Sequence, residues 1–149
     1  MNALFPILIA LAVGTLLPIQ AATNAAASRY FGDISYAALL SFIIGATTIS
    51  GYVLIVRPTL NSPTLSSGFP GYIVLGGLIS TVYTIAITYL APRLGVGNTL
   101  FIIITGQMLA ALLVDHLGIF GSIRQTLTLQ RATGVALMIF GLYLTRKNS

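Results

Sequence analysis

A chain of 149 residues with 56% hydrophobic and 6% charged side chains, at a mean hydropathy of +0.98, cannot clothe the surface of a soluble domain, where about a quarter of residues are charged. Its length predicts a single membrane domain over residues 1–149. The absence of cysteine and the presence of one histidine exclude disulfides, thiolate metal sites and cysteine nucleophiles, so neither a metal nor a cofactor is predicted. The net charge of +5 comes from seven scattered bases, which suits helix ends anchored at anionic headgroups and points to no nucleic-acid partner.

No charge precedes Arg29, and the first apolar run predicts a transmembrane helix over about 3–27, bent at Pro18. The small residues Ala25 to Ala27 imitate a signal-peptide cleavage site, but the positive n-region such a peptide needs is missing. Gln20 and Asn24, four apart, share a face just after the proline. Arg29 and Asp33, also four apart, read as a surface ion pair contributing a few tenths of a kcal/mol.

The second helix is predicted over 34–56, ended by Arg57 as a snorkelling anchor and Pro58 as a stop. A Ser, Pro and Gly-rich loop follows, TLNSPTLSSGFPG. Helix three, over 71–91, repeats Gly76, Ser80, Thr84 and Thr88 every four residues; such hydroxyls usually bond back to the carbonyl four residues earlier. Pro92, Arg93, Gly95 and Gly97 predict the turn into helix four, over 96–117.

Helix four carries the least expected polar residues. Gln107 falls near mid-bilayer, where an amide must find a partner in a solute or another helix. Gln107, Ala111 and Asp115 form one stripe, with Gly106 and Ala110 beside it, while Asn98, Thr105 and His116 fall roughly opposite. Asp115, one of two acids in the chain, lies beside the only histidine. It reads as a solvated helix end or, if drawn toward a cavity, as a proton-coupling carboxylate. A mixed connector, GIFGSIRQTLTLQR, leads to a shorter fifth helix over 128–146, on which Gly134 and Gly141, seven apart, make a small-residue seam for a dimer contact. The long unbroken runs do not alternate in polarity, which excludes a β-barrel and predicts an all-α bundle of five transmembrane helices.

Five spans place the termini on opposite sides. With the N-terminus outside, Arg29, Arg93, Arg146 and Lys147 face the cytoplasm against Arg57, Arg124 and Arg131 outside, a near balance that leaves orientation undecided. Dual topology would let two oppositely inserted copies pair as an inverted repeat, and a single orientation set by helix one or a helper is the alternative.

The series Gly14, Gln20, Asn24; Ser41, Phe42, Gly45; Gly76, Gly77; PRLG at Pro92 to Gly95; GQ at Gly106 and Gln107; and DHLG at Asp115 to Gly118 resembles the small YdcZ-type inner-membrane family of the drug/metabolite transporter superfamily. The resemblance implies a five-helix unit equivalent to half of a ten-helix transporter, paired as a homodimer, with export of small molecules the usual attribution. A more distant similarity is to the small multidrug-resistance transporters, which pair antiparallel through small residues seven apart in their last helix. Those proteins carry an essential glutamate in helix one, where this chain offers only Gln20 and Asn24, so their mode of proton-coupled cation antiport is not implied.

These readings converge on a small-molecule secondary transporter or exporter of the inner membrane, in contact with a small solute and the lipid bilayer, with Gln20, Asn24, Thr84 and Gln107 as solute ligands. A passive channel of similar antiparallel architecture and a non-transporting membrane subunit are the alternatives. No grouping supplies a nucleophile, base and oxyanion site or a phosphate-binding glycine loop, so an enzyme is not predicted.

Overall fold

The computed structural model describes residues 4–59, 71–119 and 122–146. Most of the predicted loop after Pro58, together with Lys147 and Ser149, lies outside them, as do the side chains of 145 and 146. The described residues are all-α, and the chain divides into two compact units, Met1–Pro92 and Arg93–Ser149. Among the described residues four helices are long and apolar enough to cross a membrane. The fifth has 18 residues, about 27 Å of rise against a hydrocarbon core of about 30 Å.

In the first unit α1 runs unbroken over Leu4–Phe31 with Pro18 inside it. It continues past Ala27 because Ser28 bonds back to the Ala25 carbonyl (3.0 Å) and Arg29 lies in its last turn; the stop is Gly32, whose φ of +76° suits a residue without Cβ. Asp33 follows in extended conformation as the N-cap of α2, Ile34–Val56, and its carboxylate accepts from the Ser35 backbone N–H at 2.6 Å. The predicted Arg29–Asp33 ion pair is therefore corrected: the carboxylate is used on the helix end, where orphan N–H groups and the helix dipole attract it.

The α1–α2 pair packs antiparallel through small residues. Ala21, Ala25, Ala37 and Ala38 are all buried at the contact level of the two helices, letting the backbones approach closely where lipid supplies no hydrophobic drive. The many exposed Leu, Ile, Val and Phe side chains are what a lipid-facing surface requires.

After α2, Arg57 takes a left-handed conformation (φ 48°) and its N–H closes onto the Val53 carbonyl at 2.9 Å. A short 3₁₀ turn, Gly71–Ile73, leads into α3, Val74–Leu94. Helix α3 buries one stripe, Thr84, Ile87, Thr88 and Ala91, at the i, i+3, i+4, i+7 spacing of a single face. The turn expected from Pro92 to Gly97 shrinks to Gly95. Proline forfeits only its own N–H, and α3 continues through it to Leu94 before Gly95, at φ +81°, breaks the path.

The second unit is the hairpin of α4, Val96–Leu117, and α5, Leu129–Arg146. Its connector is ordered on the C-terminus of α4, whose last carbonyls lack helical partners. Gly118 N–H (2.9 Å) and Ser122 Oγ (3.2 Å) bond to Val114 O, Gln125 N–H to Asp115 O (2.9 Å), and Arg124 Nε to His116 O (3.2 Å). The His116 Nδ1 accepts from the Leu127 N–H at 3.3 Å, so this histidine holds the connector.

Candidate functional site

Each unit contains a cleft between a pair of packed helices, α1–α2 in the first and α4–α5 in the second. In the first, α1 contributes Gln20, Thr23, Asn24 and Ala27 and α2 contributes Ala37, Leu40, Ser41, Ile44 and Gly45, around about 390 Å³. That volume falls within the range of small-ligand sites, about 300–1,000 Å³. The shared face predicted for Gln20 and Asn24 is this wall. Asn24 is 6% exposed and Gln20 is open.

Asn24 is fixed across the helix pair. The Ser41 Oγ lies 2.8 Å from Asn24 Oδ1 and 3.0 Å from the Ala37 carbonyl oxygen. One hydroxyl proton serves one acceptor at a time. If it goes to Asn24, the amide Nδ2 has no partner; if it goes to Ala37, the hydroxyl oxygen can accept from the amide and the carbonyl end is left over. Either way one end of a buried amide in the cleft wall has no protein partner, and Nδ2 is the end so placed here.

The second cleft, about 260 Å³, is lined by Met108, Ala111 and Leu112 of α4 and by Arg131, Gly134, Val135 and Met138 of α5. At its end Arg131 Nη2 donates to Asp115 Oδ2 at 2.8 Å, joining the last turn of α4 to the first turn of α5. Asp115 thus lies at a helix end, partly exposed as a solvated end would be, and is held there by an ion pair that its spacing did not announce. The two side chains are about one-third exposed, yet Arg131 Nη1 is buried without a partner.

Buried side-chain atoms without a partner among the described residues are Asn24 Nδ2, Arg131 Nη1 and Thr99 Oγ1. The first two belong to residues lining the clefts. Of the other predicted site residues, Thr84 is buried in the α3 stripe, where its carbonyl accepts from Thr88 Oγ1 at 2.7 Å. Gln107 is exposed on α4, and neither it nor Thr84 lines either cleft. Gly134 lines the second cleft, and a Cβ added there or at Gly141 would meet nothing within 4 Å. Two residues were given no site role by the sequence: Ser41, quoted only for the resemblance, and Arg131, counted only in the balance of charges across the membrane.

Among the described residues no group of His, Cys, Asp or Glu could hold a metal ion. Neither the curated proteins nor the solved structures include a match to this chain. The DMT_YdcZ family, described as "Putative inner membrane exporter, YdcZ", matches residues 5–144, and the membrane-spanning helices lie within that range. With most of its length matched, on a multi-pass helical framework suited to the inner membrane, the chain belongs to the DMT_YdcZ family.

Proposed function

We propose that this membrane transporter exports a small neutral or weakly charged solute by a secondary mechanism, and that the α1–α2 cleft is where the solute is held. The observation that carries the reading is the Asn24 amide: buried, bonded to Ser41 at one end, and left without a protein partner at the other. A solute hydroxyl, carbonyl or amide that meets it recovers a hydrogen bond otherwise forfeited in a low-dielectric wall. Gln20, at the same wall, adds a second amide. Thr84 on α3 and Gln107 on α4 stay proposed solute contacts, but they line neither cleft and are not part of this holding site.

A cleft open along one helix pair needs a further wall to become an enclosed pathway, and this favours an assembly of two five-helix units. The pairing we propose is an antiparallel homodimer of single-domain protomers with dual topology, its contact seam at Gly134 and Gly141. Asp115 is the candidate for proton coupling, since loading a proton on it would release Arg131 from the ion pair.

The test is flux in proteoliposomes across a panel of small polar solutes. Saturable transport driven uphill by an ion gradient, lost in Asn24→Leu while the protein stays folded, supports the reading. Unsaturable flux that runs only downhill makes the protein a channel, and activity that appears only with a second gene product makes it a subunit.

A further inference from the structure

The second cleft has a polarity that the proposed solute site does not share. From Asp115 back to Met108, and from Arg131 forward to Met138, the lining runs two helical turns, about 10 Å, away from the ion pair. Both charges lie at one end of the hairpin, in the last turn of α4 and near the start of α5, and the remaining lining is apolar: Met108, Ala111, Leu112, Val135 and Met138. The cleft is therefore graded, with cationic nitrogen at the helix ends and methionine and aliphatic carbon toward the middle of the helices.

A guanidinium carries five N–H donors in one plane. Asp115 takes Nη2, and Nη1 is buried without a partner. An anionic oxygen is the acceptor that best satisfies such a donor, and a planar guanidinium can hold carboxylate or phosphate through two parallel bonds. The space behind it accepts an apolar chain, since Ala111 and Gly134 leave the floor open and methionine adapts to irregular shapes. The geometry points to a binding site for an amphipathic anion, a single carboxylate or phosphate head on Arg131 with its apolar tail lying along α4 and α5. Asp115 competes with that head for the same guanidinium, so it sets the affinity of the site. This site is independent of the α1–α2 cleft.

The experiment uses the full-length protein purified in neutral detergent. Thermal stabilisation is titrated with octanoate, with octanol as the uncharged control of equal chain length. The expected result is stabilisation by octanoate alone, weakened about tenfold or more in Arg131→Gln, because a charged hydrogen bond is lost, and strengthened in Asp115→Asn, because the competing charge is removed. Ala111→Leu, which leaves the ion pair intact and fills the cleft, should also lose octanoate. Opposite signs for the two partners of one ion pair are what a purely structural role would not give. A second arm reconstitutes the protein in nanodiscs of mixed phosphatidylglycerol and phosphatidylcholine and reads retained lipid by native mass spectrometry. Retained phosphatidylglycerol displaced by octanoate assigns the head to a lipid, whereas octanoate binding without retained lipid assigns it to a free carboxylate; both support the site. Equal stabilisation by octanol, octanoate binding unchanged in both Arg131→Gln and Ala111→Leu, or binding of neither anion overturns it.

Discussion

The two packed helix pairs solve one problem with different chemistry. In α1–α2 the polar link between helices is neutral, Ser41 to Asn24 at 2.8 Å, set among buried alanines one turn or more from the helix ends. In α4–α5 it is ionic, Arg131 to Asp115 at the same distance, set where the helices meet their connector. Desolvation explains the division. A charge at the centre of a bilayer costs roughly 3 kcal/mol or more, whereas an amide and a hydroxyl that satisfy each other cost little. The neutral link can therefore lie deep and leave one amide end for a ligand. The ionic link lies instead at the helix ends, where partial exposure lowers the cost of its charges.

The contrast predicts that the links differ in what they contribute to stability. Arg131→Leu strands a carboxylate and should lower stability by about 2 kcal/mol, below the 3–5 kcal/mol of a fully buried pair because both side chains are about one-third exposed. The double variant Asp115→Leu/Arg131→Leu should recover most of the loss. Thermal unfolding in detergent, run as a double-mutant cycle, reads the coupling; additive losses would mean that the pair contributes nothing beyond its separate side chains.

The connectors differ as well. Between α1 and α2 two residues, Gly32 and Asp33, suffice, but the α4–α5 connector folds back over α4 and depends on Gly118, at φ +63°, to turn. A Cβ at Gly118 would also lie 3.3 Å from the Cβ of Arg124. Gly118→Ala should cost about 1 kcal/mol through the left-handed backbone, and more if Arg124 cannot shift. Faster hydrogen exchange at Gln125 and Leu127, with α1–α2 unchanged, is the accompanying signature. Exchange rising equally in both helix pairs would mean that the connector does not act locally.

Ser41→Ala tests the neutral link directly. Interhelical hydrogen bonds in membranes average about 0.6 kcal/mol and reach about 1.7 at most, so the loss should be small beside that of Arg131→Leu. Its effect on solute binding should exceed its effect on stability, because without Ser41 the Asn24 amide is free to rotate away from the cleft. If stability falls and binding does not, Asn24 serves only to clamp the helices.

How much of this could be read in the sequence follows from which interactions are local. The apolar runs dictate the helices because a backbone in hydrocarbon must satisfy itself, and the four-residue spacing of Gln20 and Asn24 places them on one wall by helix geometry alone. The stops were harder. Pro92 reads as a break but lies inside α3, since a proline forfeits only its own N–H, whereas Gly32 and Gly95 stop helices by a positive φ that composition does not reveal. The partners of Asn24 and Asp115 were not legible by spacing. Ser41 is 17 residues from Asn24 and Arg131 is 16 from Asp115, both across a helix reversal. A signal was nonetheless available for the second: an acid in the last turn of α4 and a base in the first turn of α5 come to the same end when the two helices form a hairpin. Counting Arg131 only toward membrane orientation hides it.

The smallest expected effect concerns the short connector. Asp33 caps α2 through Ser35, and the hydrogen bonds from the Ser35 backbone and side chain hold its carboxyl below the ordinary carboxylate range. A group whose folded pKa lies below its unfolded value contributes its stability in full above the unfolded value, near 3.8, and loses it as pH falls through the folded value. The contribution should therefore be constant across neutral pH and fade only in acid. Asp33→Asn keeps an oxygen that can accept from Ser35 but carries no charge, so its stability should be nearly that of the parent at neutral pH and should not fall on acidification through this group. Asp33→Ala loses the cap at every pH. Unfolding midpoints for the three proteins between pH 1.5 and 7 decide it: the parent should stay above the Asn variant down to about pH 3.8 and approach it only below that. If they run parallel over the whole range, the Asp33 charge contributes nothing, and the cap is a hydrogen bond that either side chain makes equally well.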